Sequence, residues 1–120
     1  MRMVILIATK TTNPLNGSHQ HWRVKAAQRK KQRAAVVEAV AGLEPWSGGF
    51  PVSIELVRCA PSNGLDDDSL PASMKSIRDQ ITEWLGLDDD RTPLIQWRYD
   101  QRRTPRGCYL VEATIARREV

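Results

Sequence analysis

Residues 65–90 read LDDDSLPASMKSIRDQITEWLGLDDD. Inside this stretch Met74, Ile77, Ile81, Trp84 and Leu85 recur at intervals of three, four, three and one. That spacing predicts a helix over about 71–85 with one apolar stripe. Gly86 then stops it. Upstream, Val52, Ile54 and Leu56 alternate with Ser53, Glu55 and Val57, the period of a half-buried strand. Downstream, LIQWRY (94–99) and CYLVEATI (108–115) read as two more strands. QRRTPRG (101–107) lies between them as a hairpin-like connection. Further out, residues 20–41 hold no Gly or Pro and are rich in Ala, Gln, Lys and Arg, so they predict a helix, with Val36, Val37, Val40 and Leu43 available for packing. Val4–Ile7 is a short β-branched strand, followed by a loop, TKTTNPLNGS. The order is strand, helix, strand, helix, strand, strand. This is a single domain over 1–120 of mixed α/β (α+β) class, with helices packed on a mixed sheet.

The chain has 120 residues, enough for a core without disulfides or a structural metal. Its longest apolar run, Met3–Ala8, is too short to span a bilayer or to serve as a secretory signal. Cys59 and Cys108 form neither a metal pattern nor a disulfide framework. The expectation is therefore no membrane and a reducing cytoplasm. Net charge is +4, from 18 Lys and Arg against 14 Asp and Glu. Six of those 14 acids stand in two triplets, Asp66–Asp68 and Asp88–Asp90, at the two ends of the predicted helix. The other eight face all 18 positive charges, so outside the triplets the chain is strongly basic, and Arg-rich.

Three adjacent carboxylates repel one another and call for a counter-charge. A hard divalent cation such as Mg²⁺ supplies it through oxygen ligands. In an extended segment Asp66 and Asp68 would share a face, with Asp67 on the other. Asp68 and Ser69 sit where a helix N-terminus favours anions and capping groups. A calcium-loop reading fails, because counting from Asp66 position six is Pro71 and position twelve is Ile77. The competing reading is a solvated loop with a helix cap.

Taken together, these residues resemble the RusA-type Holliday-junction resolvases, especially the phage and prophage branch. In that family an Asp-x-Asp-Asn-Leu motif opens a helix that ends near an Asp-Asp pair. Here the first motif is Asp66-Asp67-Asp68-Ser69-Leu70 and the second is Leu87-Asp88-Asp89, extended by Asp90. NGSHQHWRVKAAQRKKQR (16–33), with Asn16, His21 and Trp22, and the late strands fit as well. The resemblance covers most of the chain from about Asn13. It implies a homodimeric, Mg²⁺-dependent (Mn²⁺ as substitute) endodeoxyribonuclease that nicks four-way DNA junctions symmetrically. Asp66 and Asp68 match the first two catalytic aspartates. Asp89 best matches the third, with Asp88 or Asp90 able to take its place. The implied metal set is Asp66, Asp68, Asp88 and Asp89. Lys75 matches a functional lysine early in the helix, displaced by a few residues. Ser69 stands where the family has Asn; it can cap a helix but lacks an amide's two donors.

Arg23, Lys25, Arg29, Lys30, Lys31 and Arg33 place six positive charges in eleven residues without an acid. Such a stripe fits phosphate contacts; the alternative is a solvated helix face. Arg98, Arg102, Arg103 and Arg106 form a second cluster. The expected DNA contacts are His21, Trp22, Arg23, Lys25, Arg29, Lys30, Arg33, Arg102 and Arg103, Trp22 being equally suited to the core. Trp84 and Trp97 are expected in the core or a dimer interface. Two further readings stay open: a non-catalytic protein of the same fold that binds structured DNA, and a nuclease for other branched DNA.

Overall fold

In the computed structural model, which describes residues 1–11 and 22–119, the elements in chain order are β1 (Arg2–Ile7), α1 (Trp22–Val40), β2 (Val52–Ala60), α2 (Ser69–Ala72), α3 (Lys75–Trp84), β3 (Ile95–Arg103) and β4 (Leu110–Arg117). They form one α+β unit with a four-stranded mixed sheet, ordered β1-β4-β2-β3. β4 is antiparallel to both neighbours, and β2 and β3 run parallel.

The alternation read in β2 holds. Val52, Ile54 and Leu56 are fully buried and Glu55 is exposed. In register with them, Ile95 from β3, Ala113 and Ile115 from β4, and Ile5 and Ile7 from β1 turn to the same face. Val36 and Val40 of α1, and Ile77 and Ile81 of α3, close the core over that face together with Met74. Trp46, Trp84 and Trp97 pack at its margin, half-buried. The other face of the sheet carries no such layer at β1: Val4 and Leu6 are exposed there, Leu6 at 62%.

Four expectations change. The helix expected over 71–85 is two helices, broken at Ser73 and Met74. The Ser73 hydroxyl donates to the Leu70 carbonyl at 2.7 Å, and Met74 leaves helical geometry at φ −120°, ψ 16°. A side chain that competes for a helical carbonyl favours such a break, and here it leaves the Met74 side chain fully buried. The late strands are not a hairpin. β4 pairs with the far edge of β2, so the connection crosses the end of β2 instead of folding β4 onto β3. Cys108 lies in that connection, half-buried, rather than in a strand. Finally, Val37 is 51% exposed and Leu43 39%. α1 buries residues 32, 36 and 40, a four-residue period that leaves position 37 turned away from the core.

Gln32 belongs to that buried row. Its Nε2 donates to the carbonyls of Ser73 (3.1 Å) and Lys10 (3.3 Å). One amide thus joins α1, the end of the β1 segment and the α2–α3 break.

Candidate functional site

The first acidic triplet follows β2 after the short connection 61–65. Two bonds from one side chain fix its approach: the Gln101 amide accepts from the Leu65 N–H and donates to the Leu65 carbonyl, both at 2.8 Å. Gly64 is what allows this clamp, since a Cβ there would lie 2.9–3.0 Å from the Gln101 amide atoms. After Leu65 the chain winds straight into α2. The Leu70 N–H donates to the Asp66 carbonyl at 2.9 Å. Asp68 is already helical, at φ −83°, ψ −39°. The segment is therefore not extended, and the shared strand face of Asp66 and Asp68 does not arise.

The capping carboxylate is Asp66, not Asp68 or Ser69. Its Oδ1 accepts from the Ser69 N–H at 2.7 Å, whereas Asp68 makes no side-chain capping bond. Hydrogen bonding from Ser69, side chain and backbone, holds the Asp66 carboxyl below its ordinary pKa. Asp66, Asp67 and Asp68 are all exposed, and Ser69 is buried.

The second triplet reaches the start of α3 because residues 86–90 double back along that helix. Asp90 is the buried member, 8% exposed. Its Oδ1 accepts from Lys75 Nζ at 3.1 Å and its Oδ2 from Arg78 Nε at 3.2 Å. The Trp97 indole N–H donates to its main-chain carbonyl at 2.7 Å. Burial pushes the Asp90 carboxyl up, but the hydrogen bonds from Lys75 and Arg78 outweigh this and leave it below its ordinary value. Arg78 also donates to the Pro71 carbonyl, linking Asp90 to α2, and its guanidinium lies 5.7 Å from the centre of the Tyr99 ring. Lys75 is shared with Asp79 at 2.8 Å, which, with Asp90, raises its pKa. Asp88 and Asp89 are exposed, and the Asp89 Oδ1 accepts from the Arg91 N–H.

A resident Mg²⁺ would need two or three carboxylates turned to one point. Among the described residues no three Asp, Glu, His or Cys side chains meet in that way. Asp88, Asp89 and Asp90 line a cavity of about 520 Å³ with Lys75, Asp79 and Arg33. Asp67 lines a different one, about 500 Å³, with Glu55, Arg98 and Asp100. As these side chains stand, they do not fit a cation held between the triplets.

Of the basic candidates, Arg23, Arg29, Lys30 and Arg33 are exposed along α1, and Lys25 is half-buried. Arg33 alone of these reaches the cavity of the second triplet. Trp22 is 65% exposed, so it is not a core residue, and the Arg23 guanidinium lies 5.4 Å from its ring centre. His21 and Asn16 lie outside the described residues. Arg102 pairs with Glu112 at 3.3 Å, and Arg103 is exposed at the end of β3. No helix among the described residues is long and apolar enough to cross a membrane. A scan against protein-family models and a search of the curated proteins both find no match for this chain.

Proposed function

We propose that this chain is a structure-specific endodeoxyribonuclease that resolves four-way DNA junctions by paired nicking, acting as a homodimer and taking up Mg²⁺ only together with the DNA, since the described side chains form no cation site between the triplets. The observation that carries this reading is the return of residues 86–90 along α3. It sets one carboxylate of the second triplet, Asp90, against Lys75 at the start of α3. The resemblance to RusA-type resolvases implies acidic groups and a lysine near the start of this helix, and the meeting of Asp90 with Lys75 supports that reading, while the first triplet lies apart, before α2. The basic face of α1 supports it too, because Arg33 lines the same cavity as the second triplet and a phosphate backbone is bound mainly through Arg and Lys.

In this reading the chain's own residues place the DNA. Arg29, Lys30 and Arg33 hold backbone phosphates along α1. Lys75 is poised to exchange a carboxylate partner for a phosphate oxygen, since its side chain is half exposed. The separation of the triplets favours one competing reading: a protein that binds branched DNA without cutting it.

One assay divides them. The protein is incubated with a synthetic four-way junction, a linear duplex and a flap, with and without Mg²⁺. Symmetric nicks on the junction alone, Mg²⁺-dependent and lost in Asp68→Asn with binding retained, support resolution. Tight junction binding without nicks in any metal establishes the binding protein instead. Equal cutting of the flap would move the substrate to branched DNA in general.

A further inference from the structure

Arg58 lies on β2 and is 5% exposed, yet no acid among the described residues pairs with it. Its Nε donates to the Thr11 hydroxyl at 2.8 Å and its Nη2 to the Ser62 hydroxyl at 3.2 Å. Both partners are neutral. Residues 12–21, which continue from Thr11, are TNPLNGSHQH and contain no Asp or Glu. Burying a charge without a counter-charge is costly. Burial accordingly lowers the Arg58 pKa from its ordinary value.

Arg58 opens onto a cavity of about 230 Å³ at the end of β2 and β3. Asn63, Arg102 and Arg103 line it too, and no acidic side chain among the described residues does. Arg102 is partly neutralised by Glu112, whereas Arg103 forms no ion pair among the described residues. Gly64 and the Gln101 clamp form the wall next to Leu65, so the cavity stands immediately before the first acidic triplet. A guanidinium fork with two fixed N–H groups and a free edge, beside a second arginine and an amide, matches the oxygens of a phosphate.

We propose that Arg58, Arg103 and Asn63 form a receptor for one phosphate group, filled in use by a phosphodiester of a polynucleotide strand. The polynucleotide part rests on the function proposed above; the receptor itself does not. The receptor fixes a backbone phosphate next to the Asp66–Asp68 segment. It differs from the surface basic residues in being preorganised: its principal donor is already held by two hydroxyls and already desolvated.

The test uses Arg58→Met and Arg58→Lys in the full chain, in EDTA, so that cutting plays no part. Binding of a four-way junction is followed by fluorescence anisotropy over a range of salt. Arg58→Met should weaken binding about tenfold or more. It should also flatten the plot of log K against log salt by about one phosphate contact, roughly 0.7–0.9. Arg58→Lys, which keeps the charge and loses the fork, should fall between Met and wild type. In a second arm, melting is compared in inorganic phosphate and in chloride at matched ionic strength. Phosphate should raise the wild-type Tm more than that of either variant. In chloride the Met variant should melt no lower than wild type, since it removes a buried unpaired charge. A lower Tm in chloride with unchanged junction affinity would make Arg58 a structural residue and overturn the receptor. Unchanged affinity, slope and phosphate response would overturn it as well, while wild-type junction binding leaves the proposed function standing. An Arg58-dependent phosphate response in a protein that binds no DNA would keep the receptor, assign it to a free phosphate and refute the polynucleotide reading.

Discussion

Replacing Asp90 by Asn isolates the one buried charge in the acidic segments. The side chain keeps its size and one carbonyl acceptor, and the Trp97 bond is untouched because it goes to the main chain. What changes is the charge facing Lys75 and Arg78. Lys75 is half exposed and retains Asp79, so its share is under about 1 kcal/mol. Arg78 is different: its side chain is 12% exposed and Asp90 is its only carboxylate among the described residues. Losing a charge-assisted hydrogen bond there costs about 1.5–3 kcal/mol. The total is about 1.5–4 kcal/mol at neutral pH, which for a chain of this length lowers Tm by roughly 6–16 °C. Urea denaturation followed by circular dichroism measures it. The pH dependence supplies a second check. The folded-state pKa of Asp90 is depressed. Its contribution is therefore fully present above the unfolded carboxylate value, about 3.9, and is lost as pH falls through the lower folded value. The gap between wild type and Asp90→Asn should close over that acid range. A destabilisation below about 0.5 kcal/mol, or one matched by Asp89→Asn at the exposed neighbouring position, would refute the assignment of Asp90 as the paired carboxylate.

Two further substitutions probe the amides that position the site. Gln101→Ala removes both bonds to Leu65, so it should cost about 1–2 kcal/mol and speed hydrogen exchange at the Leu65 amide, leaving exchange in β2 unchanged; equal exchange at Leu65 in both proteins would show that the clamp is not needed. Gln32→Leu removes the buried donor shared by Ser73 and Lys10, with an expected loss of about 1–3 kcal/mol by chemical denaturation; stabilisation instead would mean that these carbonyls are better served by water.

The parts of the fold legible in the sequence are those written as periodicity. Val52, Ile54 and Leu56 alternate because one face of β2 meets helices, and Met74, Ile77 and Ile81 recur because one face of α3 meets the sheet. Strand order has no such local signature. A short connection with Pro and Gly between two strand-like runs reads as a hairpin, and only the two occupied edges of β2 show that it is not one. At the site, the acidic triplets are visible as letters. Which of the six acids is buried is decided by Lys75 and Arg78, fifteen and twelve residues before Asp90. Gln32 and Gln101 act across 41 and 36 residues, and a lone glutamine advertises neither. Arg58 lies just past the alternating run 52–57, where the sequence gives no sign that β2 continues to Ala60.

The place of β4 in the sheet governs the order in which the molecule can be put together. The strand nearest the end of the chain is the one that joins β1 to β2, so during synthesis β1 waits unpaired while α1, β2 and β3 emerge. Until β4 arrives, a β2–β3 pair exists with the edge of β2 bare as well as that of β3, and β1 has no neighbour at all. Contacts so distant in sequence are slow to form, and an unpaired edge invites wrong partners while it lasts. Stopping synthesis before Leu110 would therefore not trim the sheet but divide it in two.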